Sequence, residues 1–131
     1  MKTIKLEIEH PLMSTSRNIV WKLIGTAPGL ACWIADRVEL EGDTLTLSWG
    51  DEWRHHETRS ATVLVLDRYK CIRWRWDDDP DDTYVEIRMD RIDISGGITL
   101  HITDFTPEDD KEWLYSTWQH NFDRLRMSSG V

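Results

Sequence analysis

Only two cysteines, Cys32 and Cys71, occur in the chain, and they lack the close spacing of a zinc or redox motif. Two such residues in an unexported chain read as free thiols in a reducing compartment. No apolar run approaches the roughly 20 residues of a membrane-spanning helix. The opening residues MKTIKLEIEH alternate apolar with charged side chains instead of building a signal-peptide core. The expected location is therefore cytoplasmic, without membrane insertion. Basic residues are also in deficit: 16 Lys and Arg face 24 Asp and Glu, a net charge of -8. Such a field repels phosphate backbones and anionic headgroups, which disfavours nucleic acid as a partner. No glycine-rich phosphate cradle, serine nucleophile elbow or cysteine–histidine signature occurs. Accordingly no catalytic residue, cofactor or metal is nominated.

What the chain has in excess is tryptophan, eight in 131 residues. Large rings fill a core, or they line an aromatic pocket, and both readings remain open at this point. With 40% apolar and 31% charged residues the sequence lies in the globular range. Its length suits one domain, residues 1–131.

Periodicity gives the element order. Ile4, Leu6 and Ile8 alternate with Thr3, Lys5, Glu7 and Glu9, a half-buried strand that Pro11 closes. Ser14, Thr15 or Ser16 caps a helix with Val20, Leu23 and Ile24 on one stripe, Trp21 beside it and Gly25 at its end. A second short helix follows Thr26, with Pro28 in its first turn and Leu30, Trp33 and Ile34 on its apolar side. Strands then dominate. Val38 and Leu40, a Gly42-Asp43 turn, and Leu45, Leu47 and Trp49 form a hairpin. After Gly50-Asp51, the segment Trp53 to Asp67 starts polar and ends in VLVL, a long strand entering the sheet. Ile72, Trp74 and Trp76 share a face; beyond the DDDPDD turn come Val85, Ile87 and Met89, and after Gly96-Gly97 come Ile98, Leu100 and Ile102. Thr106 caps a last helix from about Pro107 to Met127, with an acidic first turn. Its wheel gathers Leu114, Trp118, Asn121 and Leu125 on one face, Phe122 and Tyr115 on one flank and Thr117 on the other. The fold class is α+β, an antiparallel sheet of six or seven strands with two short helices after the first.

Strand, two short helices, six strands and a long helix resemble the helix-grip arrangement of the START-like (SRPBCC) superfamily, in particular the branch related to activators of a heat-shock-protein ATPase. The residues carrying the resemblance are Val20-Trp21, Pro28-Gly29-Leu30 to Trp33, IRWRW at 72–76, GITL at 97–100, and Trp118 to Leu125. It implies a curved sheet wrapped around the terminal helix with a cavity between them.

Within that frame the nominated lining is Trp33, Trp49, Trp74, Trp76, Ile87, Leu100, Leu114, Trp118, Asn121 and Leu125. Large rings around a few polar groups suit a small apolar or amphipathic molecule such as a lipid. Asn121, Thr117 and either His101 or Asp104 are the polar anchors. The chain is thus read as a non-enzymatic binding domain. The resemblance supplies two alternatives: a protein-interaction module of the chaperone-activator kind, whose site is an outer surface, and a cyclase- or hydrolase-like enzyme. His55-His56-Glu57 is the strongest metal-like run, but on a strand only His55 and Glu57 share a face, short of the three or four ligands zinc needs. The acidic turn Asp77 to Asp82 lacks the central glycine and closing glutamate of a calcium loop and reads as a solvated turn.

Overall fold

In the computed structural model, which describes residues 2–50, 56–92 and 94–131, the alternating patterns become seven strands and three helices. They run β1 (Thr3–Pro11), α1 (Arg17–Gly25), α2 (Ala27–Leu30), β2 (Arg37–Glu41), β3 (Thr44–Gly50), β4 (His56–Asp67), β5 (Cys71–Trp76), β6 (Val85–Arg91), β7 (Ile98–Pro107) and α3 (Lys111–Ser129). All neighbours pair antiparallel in the order β1-β7-β6-β5-β4-β3-β2. The meander is sequential from β2 to β7, and β1 joins it by pairing with β7.

One sheet face is apolar because strand side chains alternate. Ile8, Ile102, Ile87 and Ile72 lie in register across four strands, all buried. Against this face α3 places Leu114, Trp118, Phe122 and Leu125, its only buried side chains. The other face is a charged ladder in which Glu86 is gripped by Arg73 at 2.9 Å and approached by Arg88 at 3.7 Å. The helices α1 and α2 close the core with Val20, Ile24 and Leu30, all at most 1% exposed.

Local chemistry sets the boundaries. Ser16 caps α1 by accepting from Ile19 N at 3.3 Å, and Thr26 caps α2 by accepting from Gly29 N at 3.1 Å. Gly130, at φ 74°, terminates α3 in the left-handed conformation that favours glycine.

Three sequence expectations are corrected. The helix α2 stops at Leu30, and Trp33 and Ile34 follow it in a hydrogen-bonded turn, buried all the same. Thr106 does not cap α3: its pairing with Ile4 keeps it in β7, and a 3-10 turn at Glu108–Asp110 intervenes. The VLVL run does not become interior. A register shift between Val63 and Val65 breaks the alternation, and Leu64, Val65 and Leu66 stay exposed. Trp53 and Asp51 lie outside the described residues.

Candidate functional site

The space left between the sheet's apolar face and the first half of α3 is a cavity of about 350 Å³, inside the range usual for small-molecule sites. Six of the ten nominated residues border it: Trp49, Trp74, Trp76, Leu114, Trp118 and Asn121. The other four, Trp33, Ile87, Leu100 and Leu125, do not. They are at most 1% exposed and belong to the packed core at the other end of α3 and beneath α2. Trp33, for instance, packs against Trp118 and Phe122, and its N–H donates to Leu23 O at 2.8 Å. Core filling and cavity lining are therefore not exclusive: Trp33 only fills the core, whereas Trp74 and Trp118 belong to the core and also border the cavity.

The polar anchors divide similarly. Thr117, Asn121 and Asp104 border the cavity. His101 is on the opposite sheet face, because it sits an odd number of residues from Asp104, and lies between Asp90 at 3.1 Å and Glu9 at 3.6 Å.

Sequence reasoning missed Glu57, Arg59, Asp79 and Trp113, which also line the cavity. The signal for the first two was present: period 2 counted back from Val63 and Ala61 puts Arg59 and Glu57 on the inner face. Register agrees, pairing Leu47 with Arg59 and Trp49 with Glu57. Asp79 arrives with the turn after β5, and Trp113, 69% exposed, stands on the first turn of α3. Of the His55-His56-Glu57 run, His55 lies outside the described residues, and Glu57 belongs to this cavity wall. Among the described residues no three His, Cys, Asp or Glu side chains are placed to hold a metal ion. Cys32 is exposed and Cys71 buried, both as free thiols.

Electrostatics inside the wall are specific. The Arg59 guanidinium lies over the Trp76 ring, 4.1 Å from its centroid, and pairs with Asp78 at 2.9 Å and Asp79 at 3.6 Å. The hydrogen bond from Arg59 holds the Asp78 carboxyl below the usual carboxylate range. Asp104 behaves oppositely. Burial pushes its pKa up to about 6, although Trp118 Nε1 and Phe105 N donate to its two oxygens at 3.0 and 2.7 Å. Desolvation outweighs two hydrogen bonds here.

The indole N–H groups complete the description. Trp33 donates to Leu23 O, Trp49 to Ile34 O at 2.9 Å, and Trp118 to Asp104. Trp74, 1% exposed, differs: its Nε1 is buried and has no hydrogen-bond partner among the described residues. An indole N–H taken out of water without an acceptor costs on the order of 1–3 kcal/mol.

An open antiparallel sheet closed over a long C-terminal helix, with a cavity between them and short helices after the first strand, defines a helix-grip domain. The chain belongs to the START-like superfamily domain family, whose model matches residues 1–131. A solution structure of a Bacteroides fragilis protein is similar at 36% identity, covering 97% of this chain and 91% of that one, with a TM-score of 0.66. The Aha1 dimer from Colwellia psychrerythraea shares the fold at 14% identity, with 98% and 97% coverage and a TM-score of 0.67. So does an AHSA1-like protein from Aeromonas hydrophila, at 14% identity, 97% and 94% coverage and a TM-score of 0.69. No curated protein matches the sequence. The fold is that of a ligand-binding or interaction domain, and among the described residues no helix is long and apolar enough to cross a membrane.

Proposed function

We propose that the cavity binds a small amphipathic molecule whose apolar body lies against Trp49, Trp74, Leu114 and Trp118 and whose oxygen accepts from Trp74 Nε1. The orphaned Trp74 N–H carries this reading. Of the neighbouring wall indoles, Trp49 and Trp118 have found acceptors, and the Trp74 donor, fully buried without one among the described residues, is a group a ligand oxygen would satisfy. The volume, about 350 Å³, admits such a molecule. Trp113 and Glu57, at the solvent end, form the mouth.

Amphipathic alcohols and esters titrated into the protein test the proposal through tryptophan emission and melting temperature. A ligand that binds only the folded state raises the melting temperature by mass action. Trp74→Phe keeps most of the ring and deletes the donor, so it weakens the oxygenated ligand more than a hydrocarbon of equal size. Equal binding of both by wild type and variant rules the Trp74 contact out.

A second reading, a protein-interaction module, rests on the exposed run Leu64, Val65 and Leu66 on β4. It predicts that Leu64→Lys and Leu66→Lys abolish partner capture while leaving small-molecule binding intact.

A further inference from the structure

The charges on the cavity wall are unequal. Three carboxylates, Glu57, Asp79 and Asp104, face one guanidinium, Arg59. That guanidinium is already matched by Asp78 and Asp79. Among the described residues, Glu57 and Asp104 have no ion-pair partner. Around them stand five indoles, Trp49, Trp74, Trp76, Trp113 and Trp118. Indole faces carry negative quadrupole potential and attract cations, most strongly where water is excluded. The wall itself gives the precedent, since Arg59 rests on the face of Trp76 at 4.1 Å. An anionic headgroup would meet more like charge than opposite charge in this wall.

Building on the amphipathic-ligand reading above, we propose that the ligand carries an organic cation, an amine or quaternary ammonium, held among the indoles beside Glu57 and Asp104. Its apolar part fills the space against Leu114, and a neutral oxygen meets the unpartnered Trp74 N–H. Two observations fall on the same cavity wall: carboxylates lacking a matching cation, and indole faces of the kind on which the Arg59 guanidinium already rests.

Asp104 ties this binding to pH. Leu6 lies across from it on β1 and brings no charge, Val85 of β6 adds an apolar side chain to the same wall, and Trp118 of α3 donates to it. The charges it feels are Asp79, which raises its pKa, and Arg59, which lowers it. With a pKa of about 6 it is ionised at neutral pH and takes up a proton under mild acid. The cation should therefore be held less tightly as pH falls through 6.

The test compares three probes with one eight-carbon tail: octyltrimethylammonium, octanoate and 1-octanol. Each is titrated into the full chain by calorimetry and tryptophan emission. The cation should bind at least about tenfold more tightly than octanoate near neutral pH, and its advantage over 1-octanol, a comparison in which neither probe titrates, should shrink at about pH 5. Both Glu57→Gln, at the solvent edge where folding is little affected, and Asp104→Asn should reduce the preference. If none of the three probes binds, the cavity reading itself fails. If octanol or octanoate binds as tightly as the cation, the cavity reading stands and the cation assignment is overturned. Cation affinity unchanged in both variants would also overturn it.

Discussion

Trp118 on α3 donates through Nε1 to Asp104 Oδ2 on β7 at 3.0 Å, so one hydrogen bond both fastens the long helix to the sheet and favours the ionised form of the cavity's most buried carboxyl. This bond lowers the Asp104 pKa against the larger upward effect of burial. Trp118→Phe removes the donor while keeping a ring in place. The Asp104 titration, followed by carboxyl-carbon NMR, should then move above about 6. A midpoint that stays put would mean that the bond does not form in solution.

The same shift fixes a sign for stability. Asp104 rises from an ordinary 3.8 to about 6, so the folded state holds this proton more tightly than the unfolded chain. Its contribution is fully present below 3.8 and is lost as pH rises through 6. The loss amounts to about 3 kcal/mol at 1.36 kcal/mol per unit. Asp104→Asn cannot titrate, so denaturant melts should show the variant gaining on wild type by that order between about pH 4 and 7. A constant difference between the two proteins across that range would contradict the assignment.

Filling the cavity separates space from packing. Leu114→Trp adds a large ring at the wall. It should abolish ligand binding with little change in stability, whereas a full interior would be destabilised by about 1–3 kcal/mol. Ligand binding that survives this substitution would place the molecule elsewhere.

Trp118→Ala should be costly, about 3–5 kcal/mol, through lost transfer energy and a cavity joined to the one already present. Its ring is 4% exposed and meets both Trp33 and Phe122 at 6.1 Å. A denaturant midpoint near that of wild type at constant slope would show the ring to be dispensable.

Gly29 holds α2 against α1 at a distance only glycine allows. A Cβ there would lie 1.7 Å from Lys22 O and 2.7 Å from Leu23 Cα, both backbone atoms. Gly29→Ala should cost about 3 kcal/mol, the upper part of the overpacking range. Wild-type stability in this variant would mean that the two helices sit farther apart.

What the sequence by itself determined was the element order and the inner face of most strands, because period-2 alternation is a local consequence of strand geometry. Ile72, Ile87 and Ile102 could be assigned inward before any pairing was known, the same count reached Trp74 and Trp76, and the helical period of the last segment reached Trp118. The bulge after Val63 was not legible, since a register shift depends on the partner strand. Nor was the end of β7, where Ile4 on the distant β1 outcompetes the helix cap that Thr106 offers locally. The tertiary structure alone decided which buried aromatics face empty space. Trp33 and Trp74 look alike in burial, yet α1 supplies Trp33 with the Leu23 carbonyl, and no described residue supplies Trp74. It also decided the charge of the site, because Arg59, Asp79 and Asp104 meet only when β4, the turn after β5 and β7 are brought to one end of α3. Alternation fixes the face of a residue but not its neighbour across the cavity; long-range pairing and helix placement do that, and both belong to the whole chain.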